Sequence, residues 1–117
     1  MSLKWSGRLN AAVLGVVLSF IVITPSFSEV TVQQYRDTSD RDGVEAYVVG
    51  LALGATWANG HIRVKGQERF FCQPEKLGLM AQNFISMLDD YIKETDPEPD
   101  TPIEYLMIKA LVHTFPC

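Results

Sequence analysis

Between Asp42 and Gly60, Val44, Tyr47, Val48, Leu51, Ala55 and Ala58 recur at three- and four-residue steps, and Asn59-Gly60 closes the run. That step is one helical turn and an Asn-Gly pair is a frequent helix stop, so the pattern predicts a helix over 42–60. Val49 and Leu53 fall off the stripe, leaving the middle of this helix apolar nearly all round, as expected of a central, buried helix. Gly50 and Gly54 lie four apart within it, each less favourable than Ala by about 1 kcal/mol. The expected reason is a neighbouring helix crossing closely where two side chains are missing, with ligand contact as the other reading.

A second stripe, Leu77, Met80, Ala81, Phe84, Leu88, Tyr91 and Ile92, predicts a helix that starts at Pro74 and ends in the proline-broken Thr95–Asp100 turn. Thr101-Pro102-Ile103-Glu104 reads as a capping box with proline at the first helical position. Ile103, Leu106, Met107, Ala110, Leu111, Thr114 and Phe115 give that helix its buried face, and Pro116 stops it. Residues 29–39 read as a short helix whose Val30, Val32 and Tyr35 settle on no single period. Residues 61–71 read as a basic loop. With no long alternation and no repeat, the expected fold is all-α, a small bundle of about four helices.

The N-terminal stretch changes the compartment. Lys4 and Arg8 precede an apolar run from Leu9 to Ile23, and Ser26 and Ser28 supply small residues two apart. This predicts a signal peptide over 1–28, cleaved before Glu29 on export. The other reading is an uncleaved anchor, because residues 9–27 nearly reach the length that spans a bilayer. Residues 29–117 then form a single helical domain.

All 14 acidic side chains but only 8 of the 10 basic ones lie in that domain, for a net charge of −6. The balance opposes binding to nucleic acid or anionic membranes and suits a basic protein partner. In an exported chain this small, the two cysteines, Cys72 and Cys117, most simply form one disulfide that ties the C-terminus to the base of a helical hairpin. A zinc set of both cysteines with His61 and His113 is the alternative, but no close ligand pair supports it, and no metal or cofactor is expected. Neither a nucleophile with its base nor a phosphate-binding loop is present, so the chain does not read as an enzyme.

Tyr47-x-x-Gly50, Phe71-Cys72-x-Pro74, Gln82, Tyr91 and the terminal Phe115-Pro116-Cys117 together resemble the Rap/Tai-type immunity proteins. The resemblance runs from about residue 44 to 117. It implies a periplasmic, often dimeric helical protein associated with type VI secretion, which binds and blocks peptidoglycan amidase toxins. Many such proteins join the first helix to the central one by a second cysteine pair. Around Tyr35-Arg36 and at Val44 this chain has none.

The function expected is occlusion of a cell-wall amidase by exposed loops. The candidate contacts are Arg63, Lys65 and Arg69, the acidic turn with Glu94, Asp96 and Glu98, and Trp57 as an anchor, unless the following loop buries it. A periplasmic chaperone, opened as carboxylates protonate at low pH, is the alternative.

Overall fold

Thr31 opens the first helix with a reciprocal cap: its hydroxyl accepts from the Gln34 N–H at 3.2 Å, and the Gln34 side chain accepts from the Thr31 N–H at 2.9 Å. The helix that follows, α1, is Val32–Asp37. Six residues cannot hold a helix alone, so tertiary contacts must supply its stability. Val32 and Tyr35 are buried, and the Val32 and Gln33 N–H groups donate to the Thr101 and Pro99 carbonyls at 2.9 and 3.0 Å. The computed structural model describes residues 29–117, so the signal-peptide reading lies outside the described residues.

The second helix, α2, is Arg41–Val64, capped by the Asp40 carboxylate at the Gly43 N–H, 3.0 Å away. A Cβ on Gly43 would run into that carboxylate, so the cap requires glycine there. Two expectations fail in this helix. It does not stop at Asn59-Gly60 but continues to Val64, and the chain turns instead at Gly66, whose φ of 72° suits glycine. Nor is it buried all round: only Val48, Ala52 and Asn59 are buried along its 24 residues.

The third helix, α3, is Ala81–Thr95, not a helix from Pro74. Pro74 opens a turn closed by the Leu77 N–H at 3.1 Å, and the helix waits until the Asn83 side chain can accept from the Met80 N–H at 2.7 Å. Leu77, Met80 and Ala81 consequently leave the predicted stripe and are exposed, whereas Phe84, Ile85, Leu88 and Ile92 are buried. Asp96, at φ 43°, ends α3 in a left-handed cap.

The fourth helix, α4, is Ile103–Thr114, with Pro102 as its cap rather than its first turn. Ile103, Leu106, Met107, Ala110 and Leu111 are buried as expected. Thr114 is exposed and Phe115 is half-buried against the core. The last turn of α4 lies on the last turn of α3, where His113 Nε2 is 3.4 Å from Glu94 and its ring centroid 5.7 Å from that of Tyr91. The two helices are therefore not the simple antiparallel hairpin expected: the linker leaves α3 and α4 returns to the same end. The described residues form an all-α, disulfide-stapled bundle of four helices with one isolated bridge, Thr31 with Pro102, and no strand.

Candidate protein-docking surface

The staple joins Cys72 to Cys117, with Cα atoms 4.8 Å apart, and the Cys72 N–H donates to the Phe115 carbonyl at 2.8 Å. The pairing is the one expected, but its basis differs, since Cys72 lies nine residues before α3 and not just ahead of its first turn. What seats it is Asn59. This buried amide donates to the Phe71 carbonyl at 2.7 Å and accepts from the Phe70 N–H at 2.9 Å, gripping the returning loop from inside α2. Phe71 is thereby driven into the core beside the disulfide, while Phe70 stays exposed. Both sulfurs are committed to each other, so neither is a thiolate for zinc.

The side of α2 turned away from the core carries the most unusual surface. From Ala46 to Gly60 there is no charged residue, and the two polar side chains besides Tyr47 and Trp57 look inward: Asn59 grips the loop and the Thr56 hydroxyl donates to the Ala52 carbonyl at 2.8 Å. Leu53, Trp57 and Val64 project from one ridge at helical spacing, and Trp57 is 79% exposed. Burial of Trp57 under the following loop does not occur. On the adjacent ridge, Gly50, Gly54 and Ala58 floor an apolar groove of about 520 Å³ whose far wall is Met107 and Ile108 of α4. A Cβ at either Gly50 or Gly54 would meet nothing within 4 Å. Among the described residues, the close helix crossing expected over these glycines is not made.

The charged sets are placed otherwise than as one surface. Arg63 belongs to the last turn of α2 and is held by Glu75, 2.6 Å away, across a small cleft that also contains Arg69 and Gln73. Lys65 caps α2. On the other side, Glu94 pairs with His113, Asp96 forms the α3 cap, and the Glu98 carbonyl accepts from Thr101 at 3.0 Å. These are exposed side chains whose pairs are worth little in stability. Among the remaining motif residues, Gln82 and Pro74 are exposed, Tyr91 is half-buried against His113, and Pro116 is exposed beside the staple.

Glu104, expected in a capping box, does something else. One carboxylate oxygen accepts both the Val30 N–H, at 3.0 Å, and the Tyr47 hydroxyl, at 2.5 Å, while the other oxygen is buried without a partner. Burial opposes the charge, but these donors outweigh it and hold the carboxyl below its ordinary range; the same bond pushes the Tyr47 hydroxyl up to about 12. A parallel contact fixes α1 to α3: the Tyr35 hydroxyl donates to Asp89 at 2.6 Å, and burial first, then this carboxylate, raises its pKa. Arg41 covers the Tyr35 ring at 4.5 Å and donates to its carbonyl.

Reasoning from residues missed Leu53, Val64, Phe70, Asn59 and Glu104. The available signal for Leu53 was the charge-free run itself, although burial is the usual fate of an apolar helix, whereas Val64 falls in the segment that reads as a basic loop. Among the described residues no helix is long and apolar enough to cross a membrane, and no group of three or more His, Cys, Asp or Glu side chains could hold a metal. No protein-family model matches the chain, and neither does any curated protein or solved structure.

Proposed function

We propose that the protein is a periplasmic binding protein that occludes a protein partner through the outer face of α2, in the manner of the immunity proteins it resembles. The observation that carries this reading is the absence of charge from Ala46 to Gly60 on a helix whose Leu53 and Trp57 stand in solvent. Contiguous apolar surface of this kind marks a binding site on a small protein, and a protruding tryptophan is a frequent anchor. The resemblance names the partner: a peptidoglycan amidase toxin of type VI secretion. The acidic domain complements a basic partner. No chemistry is asked of the chain, only a surface held rigid by the Cys72–Cys117 staple.

Co-purification from periplasmic extract of cells expressing such a toxin tests the proposal, with mass spectrometry of the captured protein. A cell-wall hydrolase retained by the native protein and lost with Trp57→Asp is the expected result. Failure to recover one counts against the function. The chaperone reading draws on the carboxylate contacts of Glu104 and Asp89 with α1 and its flank, which acid would weaken. It is distinguished by suppression of client aggregation near pH 3, which an inhibitor does not require.

A further inference from the structure

We infer that residues 29–40 form an acid-released arm, latched by the Glu104 carboxylate at the edge of the apolar groove. The arm has no covalent tie to the bundle other than its continuation into α2. At its start one oxygen of Glu104 takes the Val30 N–H from the arm and the Tyr47 hydroxyl from α2 together; farther along, Val32 and Tyr35 are buried in the core and Tyr35 is bonded to Asp89. The arrangement suits the carboxylate and not the acid. A proton on the shared oxygen weakens it as an acceptor for both donors, and the other oxygen is buried without a hydrogen-bond partner.

The remaining arm contacts do not titrate in the same way. The Val32 and Gln33 N–H groups and the Val30 carbonyl bond to the backbone of residues 99–103, contacts that carry no titratable group and that open more often once the latch no longer holds the arm. From α3, Asp89 accepts the Tyr35 hydroxyl and is a second, separate carboxylate contact. Glu29 lies near Tyr47, and Asp37 and Asp40 line the cleft of about 540 Å³ between the arm and α2. Arg36 and Arg41 are the cations of the segment and its junction, and Arg41 is occupied by Tyr35 and Glu45.

Tyr47 borders both the arm-side cleft and the apolar groove, so letting go of the arm joins the two and uncovers Val44 and its neighbours beside the docking face. That consequence for docking rests on the reading of α2 given above. The latch is measured on the protein alone, so the failure of one is distinguishable from the failure of the other. Because the donors lower the Glu104 pKa, the latch is complete above the carboxyl's ordinary value of 4.5 and is lost as pH falls through the depressed one.

Amide hydrogen exchange on the disulfide-intact protein, corrected for intrinsic rates, tests this. Protection at Val32 and Gln33 is expected to fall at least tenfold between pH 6 and pH 3 while Leu88 and Ile92 in α3 keep theirs. Glu104→Gln should loosen the arm already at pH 6 and abolish most of the further fall. Tyr47→Phe, which keeps the charge and removes one donor, should move the midpoint upward by roughly half to one pH unit. Asp89→Asn, as a control, should leave the Glu104-dependent step in place. Arm and α3 protection falling in parallel, or an undiminished acid step in Glu104→Gln, would overturn the latch.

Discussion

Replacing Asn59 with Ala removes the one side chain that joins the interior of α2 to the loop carrying Phe70, Phe71 and Cys72. The variant strands the Phe71 carbonyl, which loses its 2.7 Å donor, and the Phe70 N–H, which loses its 2.9 Å acceptor. A third contact, from the Phe71 N–H at 3.4 Å, is too long to add much. Phe71 is among the most deeply buried residues, so water cannot readily replace the amide at its carbonyl. An unsatisfied buried group costs about 1–3 kcal/mol, and since only the Phe71 carbonyl is buried while Phe70 is exposed to water, the expected loss is near 2 kcal/mol. For a domain of this size that corresponds to a fall in melting temperature of roughly 10 °C. Urea denaturation reads the loss as a lower midpoint with an unchanged slope. Asn59→Asp adds a diagnostic: it keeps the acceptor, loses the donor and sets a charge against the Phe71 carbonyl. Its carboxyl is therefore expected to have a raised pKa, so the variant regains stability as pH falls through that value. A loss below about 0.5 kcal/mol in Asn59→Ala would refute the clamp, since that is the range of an ordinary surface change.

Reduction, or Cys72→Ser, opens the link between residues 45 apart and is expected to cost up to about 4 kcal/mol; equal melting with and without reductant would contradict this. Gly50→Ala and Gly54→Ala should each stabilise the isolated protein by about 0.5–1 kcal/mol, because the new methyl group meets open space and improves helix propensity. A lowered melting temperature in either would mean that the α2 face is already covered. Tyr35→Phe removes a hydroxyl bonded to the Asp89 carboxylate and should cost about 1.5–3 kcal/mol by denaturant unfolding, with no measurable change as the opposing result.

The sequence was most legible where local physics and tertiary need agreed. Ile103, Leu106, Met107, Ala110 and Leu111 were predicted and found buried because one face of a short helix meets one core. The cysteine pair was legible for a different reason: two sulfurs in a small chain that reads as exported have few alternatives. The failures lie where a side chain had two possible partners. Asn59 next to Gly60 looks like a helix end, yet its amide reaches a loop 12 residues away, and the helix continues. Glu104 sits three residues after Thr101, as a capping box requires, yet its carboxylate answers a backbone group 74 residues distant. Pro74 can open either a helix or a turn, and the Asn83 cap at Met80 fixes the later start. Of the candidate contact residues, Trp57 proved exposed, whereas Arg63 is already paired with Glu75 and Glu94 with His113. A long-range partner of a polar side chain leaves no periodic trace in a sequence.

Binding of protein by the uncharged outer face of α2, as proposed, is decided by calorimetric titration of a type VI peptidoglycan amidase toxin with the native protein and with Trp57→Asp. Affinity is expected to fall at least tenfold in the variant while its melting temperature stays within a few degrees of native, because Trp57 is 79% exposed and supports little of the fold. Equal affinities would contradict it.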